Sequence, residues 1–414
     1  MHFLDNKQNL RYHKPQIPNA GKTPMILSGH DIFNNTPLAI AIDNGSVQSI
    51  RETASADRML LIAPSLIDIQ VNGFMGFDLN VETVTPSDVS AITRALWRVG
   101  TGFFCPTVVT GSFERIAGSL RAIVKACEDD AQVARSVIGI HLEGPYISSE
   151  DGPRGAHPRE HTRDPGWDEF QRWQDIAEGK IRLVTLAPER KGAVPFIEKL
   201  VKSGIVVALG HTNASESDIQ AAIKAGARLS THLGNGAHAV IRRHPNYIWE
   251  QLAADELWAS LIVDGHHLPR AVVKSMMRAK TLARCILISD AVALAGMPPG
   301  VYQFAEKKVE LTDEAKVCLI GTEYLAGSAI ELMRGVENSV RFAGISLAEA
   351  FGLATKQPAR LLGVESLHLP KSADLVFFRW DAVACKIEVL ATIFDGKVVY
   401  ENVDAHFNNA SKHG

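Results

Sequence analysis

Four residues suited to metal-assisted hydrolysis stand at the ends of short apolar runs. They are Glu143 in His141-Leu142-Glu143-Gly144-Pro145, His211 in Gly210-His211-Thr212-Asn213, His232 in Thr231-His232-Leu233, and Asp290 in Ser289-Asp290-Ala291. Two imidazoles and a carboxylate are the donor set of a catalytic zinc site that keeps one position open for water. A cation held there lowers the pKa of that water and polarises a carbonyl. A second carboxylate, Asp290, suits the passage of the water's proton to a leaving amine. Singly, each residue has a plainer reading: a histidine at a strand end is more often packed or capping, and a lone carboxylate is more often a helix cap or a surface charge. The joint reading prevails because the four lie on separate runs that one fold would gather, where an unpaired buried acid would be costly.

The elements that must position them follow a rhythm. From about Ile62 onward, short apolar runs end in polar or glycine-rich turns and are followed by amphipathic stretches. The runs are LIAPSLIDIQVNG, TGFFCPTVVT, SVIGIHLEG, IRLVTLAPE, IVVALGHT, ARLSTHLGN, WASLIVDG and CILISDA. Pro86-Ser87-Asp88 and Ser215-Glu216-Ser217-Asp218 carry helix-start marks. Strands alternating with helices imply parallel βαβ units, and eight of them close into a TIM-type (β/α)8 barrel, an α/β fold whose strand ends share one mouth. An open doubly wound sheet is the alternative. It would carry a glycine-rich phosphate turn after its first strand, and Asn72-Gly73-Phe74-Met75-Gly76 is a poor one. Residues 24–60 and 374–400 read instead as short strands and turns, with an Asp395-Gly396 hairpin signal. The expected division is therefore 1–62 and 371–414 forming one small β-sandwich, and 63–370 forming the barrel. Neither end holds enough strand to be stable alone.

Other residues fall at the same mouth. His157, in Arg154-Gly155-Ala156-His157, suits donation to a substrate carbonyl, against the plain reading of a solvated loop histidine. One histidine of Asp264-Gly265-His266-His267 is expected to face the pocket. The glycine amide of Asn235-Gly236 suits an anion. Arg242-Arg243-His244 is either a solvated turn or a phosphate clamp. The segment Thr322–Ser328 reads as a loop packed close to a ligand. Met276-Met277 and the tryptophans read as packing residues.

The bulk numbers exclude several classes. The 414 residues are 46% hydrophobic and 21% charged, as in a soluble globular protein. A net charge of -3 carries no basic excess, so nucleic acid is not an expected partner. The five cysteines, Cys105, Cys127, Cys285, Cys318 and Cys385, stand singly, which fits a reducing compartment. The N-terminus has no apolar h-region and no stretch would span a bilayer. A cytoplasmic enzyme with no membrane partner is expected.

These residues resemble the N-acetylglucosamine-6-phosphate deacetylases of the amidohydrolase superfamily. The resemblance covers nearly the whole chain through PSLIDIQVNG, HLEGPYIS, RGAH, GHTNAS, THLGN, DGHH, SDA and LAGSA, in that order. It implies deacetylation of N-acetyl-D-glucosamine 6-phosphate in amino sugar catabolism. It implies one divalent metal ion per subunit, zinc first and iron, cobalt or manganese as alternatives, on Glu143, His211 and His232. Asp290 matches the acid/base and His157 the group near the scissile carbonyl. Asn235, Gly236, Arg243 and His267 match the phosphate positions; Ala156, Leu325, Ala326 and Gly327 match sugar contacts. The family's arginine crosses a dimer interface, which implies a homodimer with Arg243 serving the neighbouring site. Many amidohydrolases carry His-x-His on the first strand and hold a second metal; Gln70-Val71-Asn72 agrees with the single-metal branch. Two motifs depart from the family. His232-Leu233-Gly234-Asn235-Gly236-Ala237 replaces His-Leu-x-Asn-Ala-Met, and His244-Pro245-Asn246 replaces Glu-Pro-Gly. Both lie around the phosphate positions, so N-acetylgalactosamine 6-phosphate or an unphosphorylated N-acetyl sugar stays open as substrate. A non-catalytic sugar-phosphate sensor is the rival of another class, disfavoured because a sensor could lose Asp290 freely.

Overall fold

The computed structural model of the chain describes residues 25–54, 56–304, 307–320, 325–364 and 373–402. It divides into two compact units. One takes the chain up to Ser65, Trp97–Gly102 and the segment from Ser366; the other takes Leu66–Leu96 and Phe103–Glu365.

The larger unit is built on eight parallel strands: β1 (Leu66–Val71), β2 (Thr101–Val109), β3 (Ile140–Glu143), β4 (Ile181–Leu186), β5 (Val206–Leu209), β6 (Leu229–Ser230), β7 (Trp258–Ile262) and β8 (Cys285–Ile288). They pair in chain order, and Val71 bridges Ala291 just beyond β8 to bring the ring round. Every run expected as a barrel strand is one. The strands are almost wholly buried, as parallel strands covered on both faces must be. The first run is shared: its Leu61–Pro64 part is a strand of the smaller unit.

A helix follows each strand: Pro86–Arg98, Phe113–Asp129, Trp167–Ile176, Ala193–Lys202, Glu216–Lys224, Tyr247–Ala253, Arg270–Lys280 and Leu332–Ala343. Both expected helix starts are present. Ser215 caps Glu216–Lys224 through a capping box with Asp218. At the other start the cap is Thr85, whose Oγ1 accepts from the Asp88 amide at 3.3 Å and whose own amide donates to Asp88 Oδ2 at 2.9 Å; Pro86 is the first helical residue. No helix among the described residues is long and apolar enough to cross a membrane.

Between β8 and the last of these helices lies a four-stranded antiparallel sheet, Gly300–Phe304, Lys307–Leu311, Lys316–Leu319 and Leu325–Ser328, that was not expected. Its strands, GVYQF, KKVEL, KVCL and LAGS, are short and carry no long apolar run. Val309, Leu311 and Val317 suffice because they pack on Leu294 and Ala329 from the flanking chain. The last strand returns to the barrel: Val292 donates to Ser328 O at 3.0 Å, and Ala291 bridges Ser328.

In the smaller unit the two ends of the chain share one sheet, in the order Met25–Asp31, Pro37–Asp43, Ser46–Glu52, Lys397–Glu401, Lys386–Phe394, Leu375–Asp381 and Leu61–Pro64. Their pairing was expected; the form corrects the expectation of a sandwich. Leu61–Pro64 pairs with both Leu375–Asp381 and Met25–Asp31, so the sheet closes into a seven-stranded barrel with no free edges. The Asp395-Gly396 turn has both φ angles positive, 53° and 69°, as a tight hairpin requires.

Candidate active site

Glu143 is the last residue of β3. His211, His232 and Asp290 each stand two residues beyond their strands, β5, β6 and β8. All three have left-handed backbone, with φ of 51°, 30° and 50°, a state that costs a non-glycine residue and is kept only where surroundings enforce it. Hydrogen bonds enforce it here. Ser148 donates to His211 O at 2.9 Å, His232 donates to Ser260 Oγ at 2.8 Å, and Asn235 donates to His232 O at 2.9 Å.

The side chains of three of them meet. His211 Nε2 lies 3.2 Å from Glu143 Oε1, His232 Nε2 lies 2.9 Å from it, and the two nitrogens are 3.0 Å apart. His211 Nδ1 lies 2.8 Å from Pro153 O, which places the proton on Nδ1 and the lone pair of Nε2 in the cluster. Even with a proton left on His232, three ligating atoms converging this closely have more lone pairs than protons to share. One cation with donor distances of roughly 2.0–2.2 Å meets all three at such separations, so the residues fit a metal ion. His157 borders the cluster, its Nε2 3.3 Å from His211 Nε2, so that Glu143, His157 and His211 also lie at metal-ligand spacing; with Nδ1 beside Thr110 Oγ1, its Nε2 suits a proton donor rather than a further ligand.

The charges agree. Burial disfavours the Glu143 carboxylate, yet the His211 and His232 contacts outweigh it and hold the group well below its usual range. Burial also opposes a charge on His232, and Glu143 overcomes it, raising the imidazole's pKa. Burial, with His211 next, pushes His157 down to about 3. Burial, followed by repulsion from Glu143, raises Asp290 to about 6, against the pull of His232, His267 and Asn72.

The remaining expected residues are placed as follows. His157 Nδ1 lies 2.9 Å from Thr110 Oγ1. His267, not His266, is the histidine that acts on Asp290's charge. Its Nδ1 lies 2.6 Å from Asp264 Oδ2, while His266 Nε2 lies 3.0 Å from Glu314 O, on the turn between the second and third strands of the inserted sheet. Asn235 and Gly236 sit on the turn after His232, and a Cβ on Gly236 would come within 2.7 Å of His211 Nδ1. Ala156 is exposed beside the buried His157. Leu325 and Gly327 lie on the strand tied to Ala291; the side chain of Ala326 and residues Thr322–Tyr324 lie outside the described positions. Arg243 is exposed, and its guanidinium makes no hydrogen bond among the described residues.

Sequence reasoning missed the supports. Gln70 and Asn72, read there only as a mark of the single-metal branch, make two such contacts: Gln70 donates from Nε2 to Glu143 Oε1 at 3.0 Å, and Asn72 donates from Nδ2 to Asp290 Oδ1 at 2.7 Å. Their two-residue spacing at the end of a strand was the available signal. Asp264, three residues before His267, carried a similar one.

Comparison with known proteins identifies the family. The amidohydrolase family model matches residues 61–399. An N-acetylglucosamine-6-phosphate deacetylase of Vibrio furnissii is 30% identical over 370 residues, 87% of this chain and 90% of the relative. An N-acetylgalactosamine-6-phosphate deacetylase of Escherichia coli O157:H7 is 34% identical over 307 residues, 74% of this chain and 79% of the relative. The structure of a mutant N-acetyl-D-glucosamine-6-phosphate deacetylase of Mycobacterium smegmatis, in complex with N-acetyl-D-glucosamine-6-phosphate, superposes with a TM-score of 0.78 at 28% identity. It covers 91% of this chain and 100% of that one. The chain belongs to the amidohydrolase family and, within it, to the N-acetylglucosamine-6-phosphate deacetylases.

Proposed function

We propose that this chain hydrolyses the acetamido bond of N-acetyl-D-glucosamine 6-phosphate, releasing D-glucosamine 6-phosphate and acetate. The observation that carries the reading is the meeting of Glu143, His211 and His232 at 2.9–3.2 Å within a chain of this family. These three residues would hold one divalent ion per subunit, zinc first among the metals such donors accept. Bound there, it would supply a water of lowered pKa and a Lewis acid for the carbonyl.

The chain's own groups do the rest. Asp290 takes a proton from the attacking water as the new C–O bond forms. His157, neutral and hydrogen-bonded through Nδ1 by Thr110, donates from Nε2 to the carbonyl oxygen as charge builds on it. The C–N bond then breaks, and Asp290 returns its proton to the departing nitrogen. Asn235, Gly236 and His267 bind the phosphate, and Ala156 and Leu325–Gly327 contact the sugar. The functional unit is a homodimer in which Arg243 serves the neighbouring subunit's site.

A second reading keeps the machinery and changes the sugar to N-acetylgalactosamine 6-phosphate. It is favoured by the 34% identity to a deacetylase of that name and by the departures at Gly236-Ala237 and His244-Pro245-Asn246. Acetate release from both phosphorylated sugars and their unphosphorylated forms, on protein of measured metal content, separates them. The expected order puts N-acetylglucosamine 6-phosphate first, with loss of the phosphate costing about 10–100-fold in kcat/KM. Metal-loaded protein that hydrolyses none of the four would return the chain to the sensor reading.

A further inference from the structure

Strand β1 and the two residues that follow it hold the turn that carries Asp290 from several sides. The Ser289 amide donates to Asp68 Oδ1 at 3.3 Å, and Ser289 Oγ donates to Gln70 O at 3.4 Å. The amides of Asn72 and Gly73 both donate to Ala291 O, at 2.8 and 3.1 Å. These bonds set the backbone on either side of a left-handed aspartate. They leave the carboxylate itself free to turn, because the last torsion of an aspartate is broad and roughly two-fold. One contact restrains it, the 2.7 Å bond from Asn72 Nδ2 to Asp290 Oδ1.

We propose that Asn72 is a positioning residue for proton transfer: its amide pins Oδ1 of Asp290, so that Oδ2 is the oxygen that takes and returns the proton. The inference rests on Asp290 being the acid/base. Several observations support it. Among the described residues Oδ2 has no hydrogen-bond partner, whereas Oδ1 has Asn72. The amide's orientation is not arbitrary, since the flipped form would set its oxygen against a carboxylate oxygen. Asn72 Oδ1 is buried without a partner among the described residues, so the bond to Asp290 is the one polar contact this side chain makes there. An uncharged donor also suits the place. It keeps its hydrogens at every working pH, whereas a carboxylate would repel Asp290 and an imidazole would offer the cation another ligand.

The test is a double-mutant cycle on the full-length, metal-loaded protein, with Asn72→Ala, Asp290→Asn and the pair. Metal content, thermal melting and inhibition by glucosamine 6-phosphate are measured beside kcat and KM. Asn72→Ala alone is expected to lower kcat about 10–100-fold with KM within about threefold and metal content unchanged. In the Asp290→Asn background the same change is expected to alter kcat by less than about twofold, since the group it acts through is gone. Asn72→Asp, which keeps the side chain's volume and loses the donor, is expected to fall at least as far as Asn72→Ala, and it carries the cycle if the alanine variant does not fold. Wild-type kcat in Asn72→Ala, equal losses in both backgrounds, or an aspartate variant restored toward wild type would each overturn the proposal. Wild-type turnover by Asp290→Asn alone would instead overturn the acid/base assignment beneath it.

Discussion

Asp290 and His157 both feel the charges of Glu143 and His232, yet their pKa values are pushed opposite ways. Burial and the Glu143 carboxylate raise Asp290 to about 6, while burial and His211 lower His157 to about 3. A base must be deprotonated, so activity is present above the Asp290 pKa and lost as the pH falls through it. A bound cation joins His232 and His267 in lowering that value. The acid limb of kcat/KM is therefore expected at or below about pH 6, measured at constant metal occupancy. A limb above pH 7 would remove Asp290 as its source. His157 stays neutral throughout and should add no second limb in this range. At this scale residue types were legible: metal ligands and acids differ chemically from core residues. Their protonation states were not, because they depend on neighbours far off in the chain.

The elements explain why a glycine follows Asn235. Gly236 has φ of 55°, and an added Cβ would meet His211 Nδ1 at 2.7 Å, at the nitrogen that holds Pro153 O. Gly236→Ala therefore obliges the turn after His232 to shift, and because the family's His-Leu-x-Asn-Ala-Met motif carries alanine at this position, metal content is expected to stay near wild type while stability falls by about 1–2 kcal/mol from backbone strain. Metal analysis and melting curves check it; loss of more than about half the metal would show that His211, not the turn, gives way. The eight barrel strands were readable because a parallel strand covered on both faces is a continuous apolar run. The inserted sheet escaped because its core is borrowed from Leu294 and Ala329, outside its own strands.

The whole molecule bears on Arg243. In a single chain it is exposed, with no hydrogen bond from its guanidinium among the described residues, as suits an arginine that works in a neighbouring subunit. Co-expressing Arg243→Ala with Asp290→Asn chains is expected to give activity above the sum of the two variants assayed alone, at substrate concentrations well below KM. Random pairing makes half the dimers mixed, each with one site that has both residues intact, so recovery should approach roughly a quarter of wild-type sites. No recovery in dimers shown to be mixed would place Arg243 in its own subunit's site or in none.

The strand–helix rhythm, the N-caps at Ser215 and the Asp395-Gly396 hairpin, and the chemical identity of Glu143, His211, His232 and Asp290 were all settled by the sequence, since each is written in residue type or local period. Tertiary structure alone decided that three of those residues share a left-handed backbone two positions past their strands. It also decided that the chain's two ends close into a barrel, and that Gln70 and Asn72 reach Glu143 and Asp290 across 73 and 218 residues of chain. Contacts of that kind come from ring closure bringing distant strand ends together, and no local pattern in the chain encodes the distance between them.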